Sequence, residues 1–185
     1  MAATTSDAPR AGSAPASRGE FLGHPKGLYV LFSTELWERF SFYSMRGIMT
    51  LYMVKIVLAA MTAREGAEAA GGHADQVYGA YLGFVYAATF VGGMLADRLL
   101  GQRRAIYIGG ILMALAQFAL TTHALLVGEN APYRPGELNA LFFTGLGLLA
   151  CGNGFFKPNI STIVGTLYSP EDRRRDGAFT IFYMG

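Results

Sequence analysis

The chain has 185 residues, of which 52% are hydrophobic and only 15% are charged, and its net charge is +2. Since soluble globular domains carry about 25% charged residues, this composition is typical of a membrane protein. The small net charge, without a basic run interleaved with aromatic residues, excludes nucleic acid as an expected partner.

Residues 1–27 are rich in Ala, Ser, Thr, Gly and Pro. Such a composition cannot build a packed core, so it predicts a disordered tail. No apolar core follows a basic start there, which argues against a cleavable signal peptide.

Four apolar segments follow the tail, and each has the roughly 20 residues that cross a hydrocarbon core about 30 Å thick. A fifth apolar segment begins at about residue 177. The pattern therefore predicts an all-α, polytopic membrane protein with four spans and the start of a fifth. The four predicted spans cover about residues 28–61, 77–100, 105–127 and 138–167.

Arginine is concentrated in alternate loops between these segments. Three arginines lie between the second and third spans and three follow the fourth, whereas the other two loops have one each. The positive-inside rule places the arginine-rich loops, and with them the N-terminus, in the cytoplasm. We therefore expect a multi-pass protein of the inner (cytoplasmic) membrane. The six residues are Arg98, Arg103, Arg104, Arg173, Arg174 and Arg175.

The first predicted span contains four charges, Glu35, Glu38, Arg39 and Arg46, in the stretch STELWERFSFYSMRG. Each would cost at least about 2.5–3.5 kcal/mol at the centre of a bilayer if it faced lipid. On a helical wheel the four charges fall, together with Phe42, within an arc of about 100°. This face must therefore contact protein or water, while the opposite face contacts lipid. An alternative is an amphipathic helix on the membrane surface over residues 33–46, but its polar face is mixed in sign and the apolar run behind it is short for a span.

The fourth predicted span contains Lys157, followed directly by Pro158 and preceded by Gly152 and Gly154. Proline removes a backbone donor and disfavours helical geometry before it, so the pattern predicts a kinked helix. Transporters build mid-membrane binding sites on such helices. A lysine at a helix end is the alternative, but apolar and small residues continue well beyond Lys157.

The chemistry of these charges suggests a hypothesis for coupling. Arg39 presents a planar fork and Lys157 a compact charge, and together they could hold a carboxylate of a substrate. Glu35 or Glu38, once its cation is taken by that carboxylate, would take up a proton. Proton entry would then be coupled to anion binding.

Other side chains near these spans are weaker candidates for a functional role. Tyr86 lies deep in the second span and is a pocket candidate, whereas Tyr78 and Tyr81 are interpreted as interfacial aromatic residues. Asp97 and Arg98, at the end of the second span, suggest an ion-pair latch beside a close helix contact at Gly92 and Gly93. The pair His73 and Asp75 lacks further metal ligands, so neither a metal nor a cofactor other than the proton is expected.

Four motifs in the same order resemble one known family over residues 28–185. ELWERFSFYSMR is similar to the E-x-x-E-R-F-x-Y-Y signature of the proton-dependent oligopeptide transporters, a branch of the major facilitator superfamily. GGMLADRLLGQRRAIYIGG and GNGFFKPNIST resemble its second-to-third-helix and fourth-helix motifs, and FTIFYMG resembles the start of its fifth-helix motif. The resemblance implies two six-helix bundles, of which this chain contains an incomplete N-terminal one, and proton-driven import of di- and tripeptides.

The resemblance also implies roles for particular residues. Phe42 stands where the family usually has a tyrosine, and Ser44 stands where glycine is common. Proton coupling is assigned by matched position to Glu35, Glu38, Arg39 and Lys157, peptide contacts to Arg39, Phe42, Tyr43, Tyr86 and Lys157, and an ion pair with the opposite bundle to Arg46.

Twelve spans need about 400–500 residues, so we expect the C-terminal helices of the transporter to be missing partners of this chain. The lipid bilayer and a di- or tripeptide are its other expected partners. Two alternatives stay open at this point: a related transporter of another anionic solute, and a non-transporting membrane protein that pairs through its glycine-rich helices. An enzyme is not expected, because the sequence contains no recognisable catalytic constellation.

Overall fold

The structure is a computed structural model that describes residues 19–127 and 136–184. It confirms the prediction of an all-α chain, with one short antiparallel hairpin before the first helix. The hairpin strands are β1 (Glu20–Phe21) and β2 (His24–Pro25). The helices are α1 (Lys26–Tyr52), α2 (Ala59–Glu65), α3 (Ala67–Leu95), α4 (Gln102–Leu126), α5 (Asn139–Thr166) and α6 (Arg174–Met184).

Three helices, α3, α4 and α5, are long and apolar enough to cross a membrane, and the bent pair α1 and α2 provides a fourth span if it counts as one. The predicted span 28–61 is thus not a straight helix. A π-helical segment, Met53–Val57, extends α1, and the chain then bends by 72° before α2.

The bend is stabilised by side chains that bind backbone carbonyls freed from regular helical pairing. Thr62 donates its hydroxyl to the carbonyl of Val54 at 2.8 Å, and Asn139 of α5 donates its amide to the carbonyl of Val57 at 3.0 Å. Buried carbonyls need such partners, so the bend depends on α5 as well as on its own sequence.

The other helices follow the predicted spans with different ends. The second span was predicted from residue 77, but α3 begins at Ala67, because the Ala-rich stretch before it continues the helix. A second π-helical segment, Ala96–Leu100, follows α3. Helices α4 and α5 begin and end within three residues of the predictions, and α6 begins at Arg174 instead of about residue 177.

Helix α5 lies at the centre of the bundle and packs against α4 and α3. Glycines allow the backbones to touch. A Cβ atom added at Gly154 would lie 2.5 Å from the carbonyl carbon of Ala88 in α3, and one added at Gly152 would lie 2.9 Å from the carbonyl oxygen of Gly109 in α4. These approaches hold α5 in place from both sides.

The helix also continues without interruption through Pro158. Proline has no N–H to donate to the carbonyl of Gly154, one turn earlier. That carbonyl lies against Gly92 of α3, where an added Cβ atom would overlap it, and Gly93 faces the ring of Pro158. The close helix contact predicted at Gly92 and Gly93 is thus present, and it covers the place where proline weakens α5.

Two apolar clusters fill the bundle on either side of a polar layer. The first includes Met49 of α1 and Phe142 to Ala150 of α5, and the second includes Leu28 of α1 and Phe156 to Val164 of α5. The middle of α1, with its glutamates, and the middle of α5 lie between them. The buried carboxylates of Glu35 and Glu38 therefore lie between two regions of apolar packing.

The hairpin contradicts part of the predicted disordered tail, whose first 18 residues lie outside the described part. Arg174 donates to Glu20 at 3.1 Å and to the carbonyl of Gly23 at 2.9 Å, and His24 pairs with the hydroxyl of Tyr168 at 2.8 Å. Hydrogen bonds from Arg174 also hold the pKa of the Asp172 carboxyl below its ordinary value. The hairpin is ordered because Tyr168, between α5 and α6, and Arg174, the first residue of α6, supply its partners.

Replacing Gly154 by alanine is expected to destabilise the bundle by about 1–3 kcal/mol, because the added methyl group must displace the backbone of α3. Gly147→Ala is the matched control on the same helix, since no atom lies within 4 Å of the added methyl group. Thermal unfolding in detergent measures both variants. Equal midpoints would contradict the close approach of α5 to α3.

Candidate functional site

The predicted charged face of α1 contains one ion pair within the helix. The Nε atom of Arg39 lies 3.0 Å from Oε1 of Glu35, and the two residues are four positions apart. Glu35 is buried, with 3% of its surface exposed, whereas the Arg39 side chain is 32% exposed. The pair therefore neutralises a buried carboxylate with a cation that reaches towards open space.

A second pair joins α1 to α5. The Nζ atom of Lys157 lies 3.9 Å from Oε2 of Glu38, and the Glu38 side chain is 5% exposed while that of Lys157 is 46% exposed. Both carboxylate oxygens of Glu38 are buried without a hydrogen-bond partner among the described residues. The distance is that of an ion pair without a hydrogen bond, so Lys157 is held only loosely.

Phe42 completes the environment of Lys157. The ammonium lies 5.6 Å from the centre of the Phe42 ring, within the range of a cation–π interaction. The ring stands where the resembled family usually has tyrosine, and its face retains the ability to attract the lysine. Lys157 is thus bounded by a carboxylate on one side and an aromatic ring on the other.

A cavity of about 310 Å³ opens beside Glu38 between α1, α4 and α5. Its lining is mostly apolar, with Trp37, Met113 and Phe156 among the contributing side chains. Gln117 of α4 donates to the hydroxyl of Ser41 of α1 at 2.9 Å along this cavity. Few polar groups of the cavity wall therefore face Glu38.

The structure brings together five of the residues singled out from the sequence, namely Glu35, Glu38, Arg39, Phe42 and Lys157. The other predicted site residues are not part of this cluster. Tyr43 is 59% exposed and Tyr86 is 74% exposed, and Arg46, Asp97 and Arg98 are also exposed. In the described ranges neither Asp97 nor Arg98 lies within 4.0 Å of an opposite charge, so their role as a latch stays a prediction.

Some buried polar residues were missed by the sequence analysis. Tyr81 was interpreted as interfacial, but it is 6% exposed, and its hydroxyl and that of Tyr78 are buried without partners among the described residues. His123 is fully buried and its Nδ1 atom lies 2.8 Å from the hydroxyl of Tyr52. The spacing of Tyr78, Tyr81 and Val85 on one face of α3 is a signal that could have identified that face as internal.

The described residues contain no group of three or more His, Cys, Asp or Glu side chains placed to hold a metal ion. The site instead consists of two carboxylate–cation pairs inside a helical membrane bundle. Such a site is able to bind an anionic group and to exchange protons, because each carboxylate has a cation that a competing anion can attract.

Membrane helices enclosing a charged site of this kind define a polytopic helical membrane protein. A family model described as the POT family matches residues 103–185. Over these residues the chain is similar to the POT family.

Curated relatives and solved structures extend this similarity to most of the chain. The peptide transporter YePEPT of Yersinia enterocolitica is 42% identical over 89% of this chain and 29% of its own length, and the di-/tripeptide transporter of Lactococcus lactis is 44% identical over 89% and 30%. A crystal structure of the peptide transporter POT in complex with sulfate superposes with a TM-score of 0.72 at 40% identity, over 89% of this chain and 30% of that one. A POT family transporter in complex with 5-aminolevulinic acid superposes with a TM-score of 0.69 at 33% identity, over 90% and 31%. The chain thus spans about 30% of the length of the relatives that it matches.

Proposed function

We propose that this chain forms the first part of a proton-coupled symporter that moves di- and tripeptides across the inner (cytoplasmic) membrane, with its N-terminus in the cytoplasm. The observation that carries the proposal is the pair of Glu38 and Lys157, in which a buried carboxylate depends on a loosely held, half-exposed cation. Relatives described as peptide transporters support the substrate class.

The C-terminal carboxylate of a peptide competes with Glu38 for Lys157. Once Lys157 turns to the peptide, Glu38 is left charged in an apolar cavity, which is costly, and a proton from solution relieves that cost. Peptide binding and proton uptake thereby favour each other. No cofactor other than the coupling proton takes part.

Arg39 and Glu35 repeat this arrangement within α1. The guanidinium is partly exposed and its planar fork suits a carboxylate, so it is the second cation available to the peptide. Glu35 then becomes the second carboxylate that exchanges a proton.

Three exposed residues of α1 and α3 are available to the remaining helices of the transporter. Arg46, Tyr43 and Tyr86 are open in this chain, and in the complete transporter they meet the opposite bundle or the peptide. By complete transporter we mean this chain followed by the C-terminal helices, taken from its own sequence or from the Yersinia relative.

Replacing Glu35 or Glu38 by glutamine in the complete transporter is expected to preserve counterflow of peptide but to abolish uptake driven by a pH gradient. Glutamine keeps the size of the side chain and cannot exchange a proton. Both activities are measured with a labelled dipeptide in proteoliposomes, and Glu65→Gln, an exposed glutamate at the end of α2, is the control. Undiminished gradient-driven uptake in both variants would disprove the coupling role.

Lys157→Ala and Arg39→Ala are each expected to weaken binding of dipeptides about 10- to 100-fold, because a charge-assisted contact contributes about 1.5–3 kcal/mol. Binding of C-terminally amidated dipeptides should change much less. Competition assays compare the two ligand types, and 5-aminolevulinic acid tests a solute that has a carboxylate but is not a peptide. Lys55→Ala is the control, because Lys55 is exposed and lies in the π-helical segment that follows α1. Equal losses for free and amidated dipeptides would indicate a structural role.

Residues 1–185 alone are expected not to transport. Alternating access requires one bundle or repeat to rock against another around a site at their interface, and this chain provides one side of that interface. Reconstitution of the polypeptide alone, followed by uptake of a labelled dipeptide under an inward proton gradient, tests this. Saturable, gradient-dependent accumulation above that of empty liposomes would refute the proposed division of the transporter.

A further inference from the structure

Lys157 alone does not satisfy the buried carboxyl group of Glu38. Its oxygens are buried without a hydrogen bond to any described residue, and Lys157 lies beyond hydrogen-bond distance on a side chain that is 46% exposed. A buried carboxylate without a hydrogen bond is costly. The cost is greatest when Lys157 moves to a substrate, so the residue that stays beside Glu38 at that moment matters for coupling.

Asn153 is placed to be that residue. It is 4% exposed, and it lines the same cavity as Glu38. It precedes Lys157 by one turn of α5, so the two share a face of that helix. Its amide can donate a hydrogen bond to a carboxylate and accept one from a carboxylic acid.

The backbone on both sides of Asn153 is immobilised. Gly152 packs against α4 and Gly154 packs against α3, and any side chain added at either would collide with the neighbouring helix. Asn153 has a short side chain on this fixed backbone, whereas the lysine chain is long and rotatable. Asn153 therefore stays near Glu38 while Lys157 is free to move.

We propose that Asn153 is a positioning residue whose amide holds the Glu38 carboxyl in the cavity while Lys157 binds the substrate carboxylate, and that it thereby sets the pH at which proton-driven uptake begins. The inference rests on the proposed function, in which Glu38 exchanges the coupled proton. A charge-assisted hydrogen bond from the amide to the carboxylate is stronger than one to the neutral acid, so the amide favours the charged form.

Other groups facing Glu38 also influence its proton. Helix α4 contributes no titratable residue to the lining of the cavity in the described part, and Gln117 there is uncharged. The charged and titratable residues of the described part that face Glu38 are Glu35 and Arg39 of α1, Lys157 of α5 and Tyr81 of α3. All of these residues are retained when only Asn153 is changed.

The test uses the complete transporter in proteoliposomes and measures uptake of a labelled dipeptide against external pH. Asn153→Leu keeps the approximate size of the side chain and removes the amide. The midpoint of the pH profile is expected to move upward by about one pH unit, a tenfold change in proton concentration, because the charged carboxylate loses its donor. The midpoint does not depend on the amount of active protein.

Two matched variants separate this effect from a general defect. Asn153→Thr replaces the amide by a hydroxyl that can also donate and accept, and it is expected to keep the midpoint of the unchanged transporter. Asn159→Leu removes another buried asparagine of α5, which does not line the cavity. The amide of Asn159 donates to the carbonyl of Phe155 at 2.7 Å. This variant is expected to leave the midpoint of the pH profile unchanged. If leucine at 153 prevents folding, Asn153→Ala removes the amide without adding bulk.

An unshifted midpoint in Asn153→Leu or Asn153→Ala would overturn the inference, as would an equal shift in Asn159→Leu. Glu38→Gln distinguishes this failure from failure of the proposed function. If Glu38→Gln abolishes gradient-driven uptake and the Asn153 variants keep the midpoint, only the role of Asn153 is wrong. If Glu38→Gln still takes up peptide with the pH gradient, the coupling role of Glu38 is itself wrong.

Discussion

The direct backbone contact of α5 with both α3 and α4 is the constraint on which the rest of the bundle depends. Glycine is required at these points, because a Cβ atom at Gly152 or Gly154 would collide with the neighbouring helix. Helix association in a membrane has little hydrophobic driving force, so close packing of small residues supplies the attraction instead. The same contact covers the carbonyl that Pro158 leaves without a donor, and it fixes the height and rotation of α5 relative to the site.

The charged layer depends on this framework in two different ways. Glu35 and Arg39 pair within one helix, so their interaction needs no tertiary structure beyond the burial of the face that they share. Glu38 and Lys157 pair only because α5 presents the lysine to α1, and apolar clusters lie on either side of Glu38. The two members of this pair differ in burial, because the Glu38 carboxylate is buried whereas the Lys157 ammonium is half-exposed at the end of a long side chain. In the proposed mechanism, this difference lets a substrate carboxylate compete for the cation without disturbing the fold.

Much of the fold and part of the site were predictable, because they depend on local properties of the chain. Runs of apolar residues predicted the spans, and α4 and α5 end within a few residues of the predicted bounds. Helical periodicity placed Glu35, Glu38 and Arg39 on one internal face of α1. The extended start of α3 and the hairpin were missed. The hairpin owes its order to Arg174 and Tyr168, which are far along the chain and close only after folding.

The sequence by itself determined which segments are helices, which stretch contains the charges and which loops are rich in arginine, since each of these follows from composition and spacing. Only the tertiary structure decided which side chains face inward. Tyr81 and Tyr86 lie in the same span, yet the first is buried and the second is exposed. Periodicity defines the faces of a helix but not which face meets its neighbours. That choice is made by the rotation of α3 against α5, where Gly92 and Gly154 allow the backbones to meet.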